Sequence, residues 1–340
     1  MKDYLQSIAD EVKDIFAHDI ETTKAFVVLG RDDVGLTFGR NQIKKGKLIE
    51  TCVLFIDIRN STIMSKNLKK DKAKLGKIYS AFIHSMVSIA DEYGYVRNII
   101  GDRVMVVFEP DNCFVDAINC AATMYSTSYG ILKKFSAIET FKVGIGIDFG
   151  EMLILKTGIQ KQHTEQSEYK NLVWVGDAAN IASKLTDLAN KEYNNPLYTL
   201  SIENVVFEDV LTGYKESPTS LSLVDAYLGK SNKIPVYERK FVTKTHSITL
   251  SGEEFNKKVS ISQGGWKYDG KSIKLISKEE RAGTTSPVLM SGKVYSEFKK
   301  ADPKSTHLLR LNQKSYPVQP FTGFGIYGGT PLWPEVNQVK

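Results

Sequence analysis

The chain has 340 residues and a net charge of +6, with 42% hydrophobic and 25% charged residues, the composition of an ordinary globular protein. Its length allows two domains, each with its own core. The N-terminus carries acidic residues and lacks the apolar centre of a signal peptide, and no apolar run reaches the length of a membrane span. The three cysteines lack metal-type spacing, so we expect a cytoplasmic protein without membrane contact.

Residues 1–50 are predicted to form an N-terminal helix and a leader. From residue 51 the pattern becomes that of a β/α domain, since TCVLFIDI is a continuous apolar run, typical of a strand buried on both faces. A helix is predicted over residues 71–93. The segments YVRNII and RVMVVFE follow as a hairpin that turns at Gly101-Asp102.

A second helix is predicted from about residue 111. The segments FKVGIGID and EMLILKTG are then expected to form a hairpin that turns at Phe149-Gly150, and NLVWVG is expected to lead into the helix DAANIASKLTDLAN. This order predicts an α+β domain over residues 51–244, with an antiparallel-rich sheet and helices on one face.

The composition changes near Thr245, after which the chain is rich in Ser, Gly and Lys. Without a convincing long helix, residues 245–340 are predicted to form a small all-β, sandwich-like domain. The whole excess of positive charge lies in this segment. A solvated surface is the simpler interpretation of that charge, and contact with a polyanion is the alternative.

Two aspartates lie at the ends of neighbouring predicted strands. Asp57 ends the buried strand, and Asp102 occupies the tip of the hairpin. Two carboxylates that meet at a sheet edge repel each other unless a cation neutralises them. Their oxygen atoms favour magnesium or manganese over zinc. Either aspartate alone is typical of a turn, but the pair predicts a metal site suited to phosphoryl transfer.

Two weaker patterns accompany this pair. A polar loop precedes the next helix, and its N–H groups could bind a triphosphate; it comprises Arg59, Asn60, Ser61 and Thr62. Asn180 and Lys184 are four residues apart on one predicted helix, so they share a face. By itself this second pattern is more typical of a solvated surface.

Four motifs occur in order over residues 55–185: FIDIRNST, IIGDRVMVVF, VGIGIDFGEMLI and VWVGDAANIASKL. Together they resemble the catalytic domain of class III adenylate and guanylate cyclases. The resemblance implies a ferredoxin-like, palm-type α+β fold and two Mg²⁺ or Mn²⁺ ions per site. It assigns these ions to Asp57, Asp102 and the backbone carbonyl of Ile58.

The same resemblance makes Asn180 and Lys184 the pair that stabilises the transition state, with a lysine in the place of the family's arginine. It also implies a late lysine that contacts phosphate, for which Lys233 and Lys230 are candidates. Family members are antiparallel homodimers with shared sites. The metal aspartates would therefore come from one subunit, and Asn180, Lys184 and the base-facing Asn98 and Arg97 from the other.

The positions that read the base depart from the adenylate cyclase pattern. They are occupied by Asn98 and Val173, with Arg97 beside them, and these residues match neither adenine nor guanine recognition. With the leader DDVGLTFG, this combination resembles the pyrimidine cyclases of Pycsar antiphage defence. That resemblance implies CTP or UTP as substrate, with CTP favoured, a separate effector that responds to the cyclic nucleotide, a phage-derived trigger and a C-terminal sensor domain.

Three alternatives remain open on the sequence. An adenylate cyclase could use atypical base recognition, and a cyclase-fold signalling module could lack activity. A diguanylate cyclase of related palm topology is disfavoured, because the hairpin turn here reads IIGDR and lacks a GGDEF-type motif.

Overall fold

The computed structural model describes residues 1–39, 43–158, 160–161, 164–165, 170–216, 227, 229, 233–262, 264–314 and 325–339. The chain divides into two compact units. The first unit comprises Met1–Glu192 and Thr284–Lys340, and the second comprises Tyr193–Gly283. The second unit is therefore an insertion in the sequence of the first.

The helices of the described residues are α1 (Lys2–Ala17), α2 (Ser61–Asn67), α3 (Lys72–Tyr93), α4 (Cys113–Ser126), α5 (Lys133–Ser136), α6 (Asp177–Leu188), α7 (Gly252–Lys258), α8 (Gly292–Ala301) and α9 (Pro303–Leu308). The strands are β1 (Ile20–Lys24), β2 (Lys44–Ile58), β3 (Tyr95–Ile100), β4 (Arg103–Val107), β5 (Val143–Thr157), β6 (Gln160–Lys161), β7 (Thr164–Glu165), β8 (Asn171–Val175), β9 (Glu192–Glu216), β10 (Lys233–Ser251), β11 (Val259–Ser262), β12 (Gly265–Tyr268), β13 (Lys271–Thr284), β14 (Val288–Ser291), β15 (Asn312–Lys314) and β16 (Ile326–Gly329). The chain therefore contains both helices and strands, and the predicted α+β class is confirmed.

The first unit is built on one mixed sheet. Its strands run in the order β15-β16-β14-β5-β2-β4-β3, with β1 beside β2 and β8 beside β5. Only the pairs β1–β2 and β14–β5 are parallel among the described pairs. The sheet is therefore antiparallel-rich, as the sequence predicted, and β2 lies near its middle.

Strand β2 is buried on both faces, which confirms the interpretation of TCVLFIDI. Its side chains alternate between two cores, with Leu54 and Ile56 in one and Val53 in the other. Helices α3 and α4 contribute to the first core, and α6 contributes to the second. Helices thus cover both faces of the sheet, whereas the sequence predicted them on one.

The predicted hairpin at Phe149-Gly150 is wrong, because β5 continues through it as a single strand of 15 residues. Thirteen consecutive pairs join β5 to β2, from Gly46↔Leu155 to Ile58↔Val143. A partner strand of equal length satisfies the backbone hydrogen bonds of the whole segment, so glycine at position 150 does not end the strand.

The glycines of VGIGID instead allow α6 to lie close to the sheet. A Cβ atom added at Gly144 would lie 2.7 Å from the carbonyl oxygen of Ala189, and one at Gly146 would clash with the carbonyl oxygen of Ala182. The Thr186 hydroxyl adds a hydrogen bond of 3.1 Å to the carbonyl oxygen of Phe55 in β2. This close contact sets the position of α6 against β2 and β5.

The last part of the chain returns to the first sheet. Strand β14 pairs with β5 in parallel, and β16 pairs with β14. The predicted domain boundary at residue 245 therefore differs from the structure, where it lies inside β10 and the chain leaves the second unit near residue 284. Composition does not show this return, because β14 and β16 are only four residues long.

The second unit contains a sheet in the order β10-β9-β13-β12-β11. Strands β9 and β10 pair over 19 residues, with one bulge next to Tyr237. Its small core contains Leu200, Ile202, Leu250 and Phe255. C-terminal strands are thus present as predicted, but residues 245–340 also contain the helices α7, α8 and α9, so this segment is not all-β. No helix of the described residues is long and apolar enough to cross a membrane.

Replacement of Gly146 by alanine tests the close packing of α6. We expect Gly146→Ala to lower the free energy of unfolding by about 1 to 3 kcal/mol, because the added methyl group meets backbone that cannot easily move. Gly150→Ala on the same strand is the matched control, since its Cβ would lie 3.5 Å from that of Ala178, an ordinary contact. Urea unfolding measures both, and equal stabilities would contradict the packing argument.

Candidate active site

Strand pairing brings Asp57 and Asp102 to the same end of the sheet. Asp57 is the penultimate residue of β2, and Ile56 pairs with Val104 at the start of β4. The turn between β3 and β4 is Gly101-Asp102, with φ of 63° at Gly101. A positive φ at the first turn residue suits glycine and allows a tight two-residue hairpin. The predicted adjacency of the two aspartates is therefore present.

The surroundings of Asp102 disfavour its charge. Burial raises the pKa of the Asp102 carboxyl, and the nearby charge of Asp57 raises it further. The Asp102 Oδ2 atom is buried and has no hydrogen-bond partner among the described residues. A buried carboxylate oxygen without a partner is costly unless a cation binds it. The pair therefore fits a hard divalent cation better than it fits a purely structural role.

A metal ion held by Asp57 and Asp102 would need further oxygen ligands that are not side-chain carboxylates. Within the described part of the chain, no group of three or more His, Cys, Asp or Glu side chains is placed to hold a metal. Magnesium commonly takes one or two carboxylates and completes its coordination with water and substrate phosphates. Two aspartates are thus sufficient for a site of that type, and the Ile58 carbonyl remains a predicted ligand.

Two arginines that the metal prediction did not include surround Asp57. Arg103 donates to the Asp57 Oδ2 atom at 2.8 Å, and Arg59 donates to the same atom at 3.1 Å. Arg103 also forms an ion pair with Asp187 of α6 and donates to the Ser183 hydroxyl at 3.0 Å. The sequence feature that could have pointed to Arg103 is the GDR triplet, in which the arginine directly follows Asp102.

Burial lowers the pKa of the Arg59 guanidinium, although the charge of Asp57 opposes that shift. Arg59 stays tied to the sheet, because its backbone N–H donates to the carbonyl oxygen of Lys142 at 2.8 Å. Its Nε atom is buried without a hydrogen-bond partner among the described residues. Arg59 therefore retains a donor for a further ligand at this end of the sheet.

The remainder of the polar loop starts α2. Asn60 adopts a left-handed conformation, with φ of 57°, and α2 begins at Ser61 and includes Thr62. A cavity of about 420 Å³ lies beside the loop, and Ile58, Arg59 and Asn60 contribute to its lining. The structure thus brings part of the predicted phosphate loop to an open cavity, and its binding of phosphate stays a prediction.

Helix α6 presents Asn180 and Lys184 to solvent, on one face as predicted. Ser183 and Asp187 of the same helix contact Arg103, which also contacts Asp57, so α6 lies next to the aspartate pair. Lys233 begins β10 in the second unit, and Lys230 lies outside the described residues. The catalytic roles of Asn180, Lys184 and Lys233 stay predictions.

The predicted base-binding residues Arg97 and Asn98 line a cavity of about 540 Å³ together with Asn171 and Leu172. Val173 is the next residue of β8, where it pairs with Leu155, but it does not line this cavity. Arg97 and Asn98 therefore line one cavity, and Val173 lies beside it.

Comparisons with known proteins find relatives of this chain. Residues 43–193 match the family described as "Adenylate and Guanylate cyclase catalytic domain". A uridylate cyclase from Gulbenkiania mobilis is 32% identical over 48% of this chain and 65% of its own length. A cytidylate cyclase from Staphylococcus aureus is 38% identical over 58% of this chain and 44% of its own length.

A uridylate cyclase from Xanthomonas perforans is 32% identical over 52% of this chain and 73% of its own length. Among solved structures, the adenylyl cyclase CyaB from P. aeruginosa aligns over 83% of this chain and 94% of its own, at 15% identity and a TM-score of 0.45. The chain spans 65% and 44% of the G. mobilis and S. aureus relatives, so it matches only part of each.

The raised pKa of Asp102 predicts how its removal changes stability. Above that pKa, the ionised Asp102 carboxyl has a higher free energy in the folded chain than in the unfolded chain, so it lowers the stability of the fold. This loss of stability disappears as the pH falls below the pKa. We expect Asp102→Asn to raise the melting temperature at pH 7 by at most a few degrees, because the carboxyl is only half-buried. The gain should vanish below the ordinary carboxyl value of 3.8. Thermal unfolding from pH 3 to 8 measures it.

Asp111→Asn is the matched control, because Asp111 is exposed. Added Mn²⁺ gives a second readout in the same experiment, since a ligand that binds only the folded state raises its stability. The wild type and Asp111→Asn should gain stability with Mn²⁺, and Asp102→Asn should not. An equal gain in all three proteins would place the cation elsewhere.

Proposed function

We propose that this chain, which belongs to the class III adenylate and guanylate cyclase family, converts a pyrimidine nucleoside triphosphate into its 3′,5′-cyclic mononucleotide and pyrophosphate. The observation that carries the proposal is the meeting of Asp57 and Asp102 at the ends of paired strands, with one buried Asp102 oxygen unpaired. The substrate is CTP or UTP, with CTP favoured.

Asp57, Asp102 and the carbonyl of Ile58 would hold two Mg²⁺ or Mn²⁺ ions. When bound, such ions lower the pKa of a coordinated hydroxyl and stabilise charge on a transferring phosphoryl group. The 3′-hydroxyl of the ribose attacks the α-phosphate, and pyrophosphate leaves in line. Arg59 already contacts Asp57 and has an unpaired buried Nε, which supports a role for its loop at the phosphates.

Asn180 and Lys184 stabilise the transition state from the exposed face of α6. A lysine keeps the positive charge of the family's arginine but loses its two-pronged geometry. We assign this pair to the site of a second copy, in a homodimer with two equivalent shared sites. The exposure of both side chains supports that assignment. Ser61 and Thr62 of the polar loop, with Lys233, are assigned to the leaving pyrophosphate.

The choice of a pyrimidine rests on the base-facing residues and on the names of the relatives. Asn98 and Val173 offer neither the lysine nor the aspartate with which adenylate cyclases of this family read adenine. Relatives that are 32% and 38% identical are named uridylate and cytidylate cyclase, so both pyrimidines are supported. The base pocket contains Arg97 and Asn98, while Val173 borders it.

The cellular role follows from the resemblance to pyrimidine cyclases of antiphage defence. We propose that the enzyme acts in the cytoplasm, responds to a phage-derived trigger and makes a second messenger for a separate effector. Residues after 245 were predicted to be a sensor; in the structure, those up to Gly283 belong to the second unit. That unit is therefore the candidate for sensing the trigger.

Product analysis tests the reaction. We expect the wild type, given each of the four ribonucleoside triphosphates with Mg²⁺ or Mn²⁺, to form a cyclic pyrimidine nucleotide, detected by mass spectrometry. Asp57→Ala and Asp102→Ala should lower kcat by at least about a hundredfold, because charge stabilisation at the phosphoryl group is lost. Asp111→Ala should retain activity. A purine product alone would identify a purine cyclase, and no product from any triphosphate, with or without phage-derived material, would identify an inactive signalling module.

Mixing two inactive variants tests the shared site. Asp57→Ala and Asn180→Ala are each expected to be inactive, but a mixed dimer retains one complete site built from the two wild-type halves. After co-expression, activity should therefore return to roughly a quarter of the wild-type level. Co-expression of Asp57→Ala with Asp102→Ala is the control and should stay inactive, because both residues belong to the same half. If co-expression of Asp57→Ala with Asn180→Ala restored no activity, the whole site would lie within one subunit.

A further inference from the structure

Part of the base pocket is lined by a segment of the chain that precedes the four cyclase motifs. The cavity of about 540 Å³ is lined by Arg97 and Asn98 of β3 and by Asn171 of β8. Arg31 and Asp32 complete its lining from the leader segment, residues 25–39. The cavity therefore contains two arginines from different elements.

The leader segment is fixed to the sheet on both sides of Arg31. Before it, the Val28 N–H donates to Glu109 at 3.1 Å, and Leu29 is buried. After it, Asp33 accepts from Lys47 at 2.9 Å through its carboxylate and from Lys156 at 2.9 Å through its carbonyl oxygen. The backbone at Arg31, an exposed residue, is thus held at the cavity by anchored residues on both sides.

Arg97 lies in an irregular part of β3. It is the extra residue of a β-bulge, since Val96 pairs with Val106 and Asn98 with Met105. Its guanidinium lies over the Tyr95 ring at 4.7 Å, and its Nε is buried without a hydrogen-bond partner among the described residues. Bulges redirect side chains and are common beside active sites. The bulge therefore directs a donor-rich side chain to the cavity.

The two guanidinium groups influence each other. Burial lowers the pKa of Arg97, and the positive charge of Arg31 contributes to that lowering. Asp32 supplies a carboxylate at the same cavity, where an ion pair of 2.8 Å with Lys170 lowers its pKa. The cavity thus combines two strong donors with the Asp32 carboxylate and with the amides of Asn98 and Asn171, which can donate or accept.

This set of groups matches one edge of a pyrimidine base. Cytosine presents two acceptors, O2 and N3, and one donor amino group, and uracil presents two carbonyl acceptors and one N–H donor. Guanine and adenine each present only one acceptor on the corresponding edge. Two guanidinium donors therefore suit a pyrimidine better than a purine.

We propose that Arg31 of the leader segment is a specificity-determining residue, which binds an acceptor atom of the pyrimidine base together with Arg97. This inference rests on the proposed cyclase function and extends its base site to a segment before the first metal motif. Charged donors to a neutral acceptor form strong hydrogen bonds, and the guanidinium of Arg97 already has a buried donor available.

Steady-state kinetics of Arg31→Ala tests the assignment. For the preferred pyrimidine triphosphate, kcat/KM should fall about tenfold or more, because a charged hydrogen bond to the base is lost. The kcat/KM for ATP should change little, so selectivity for the pyrimidine falls by the same factor. Arg31→Lys should recover part of the selectivity. Arg239→Ala is the matched control, since it removes an exposed arginine of the second unit.

A binding measurement separates base contact from phosphate contact. Calorimetry with the pyrimidine triphosphate and with inorganic triphosphate should show weaker binding by Arg31→Ala only for the nucleotide. Equal weakening for both ligands would assign Arg31 to the phosphates and overturn the inference. Unchanged selectivity in an active Arg31→Ala would also overturn it. A wild type without cyclase activity, even with phage-derived material, would instead overturn the proposed function, so the two failures are distinguishable.

Discussion

The antiparallel pairing of β2 with β4 and β5 is the constraint on which the candidate site depends. Asp57 pairs with Gly144 on one side, and the neighbouring Ile56 pairs with Val104 on the other. Because successive strand residues point to opposite faces, a slip of one residue would exchange the two cores and turn Asp57 away. The alternation of Val53 and Leu54 between two cores opposes such a slip. Burial on both faces therefore fixes the register that positions Asp57.

The charges at this edge are balanced unequally. Asp57 accepts from two guanidinium groups, whereas Asp102 keeps a buried oxygen without a partner among the described residues. Arg103 joins Asp57 to Asp187, so it connects the metal pair with α6. Helix α6, which carries Asn180 and Lys184, is thus linked electrostatically to Asp57 of the same chain.

The second unit is inserted between α6 and β14, close to residue 193, where the match to the cyclase family ends. After it, β14 returns to pair in parallel with β5. A parallel neighbour requires a connection longer than a hairpin turn, and the insertion supplies one. The chain can therefore carry a candidate sensing unit without interrupting the strands that hold Asp57 and Asp102.

The sequence by itself determined the elements whose signals are local. The apolar run of β2, the helix over residues 72–93 and the Gly101-Asp102 turn were all predictable, because burial, helical spacing and turn chemistry act over a few residues. The pair Asp57 and Asp102 followed from those elements. Only the tertiary structure decided that β5 runs through Gly150, since a partner strand distant in sequence satisfies its hydrogen bonds. The same holds for Arg103 at Asp57 and for Arg31 at the cavity that Arg97 lines. Their positions depend on pairing and anchoring between distant segments, which composition and spacing do not encode.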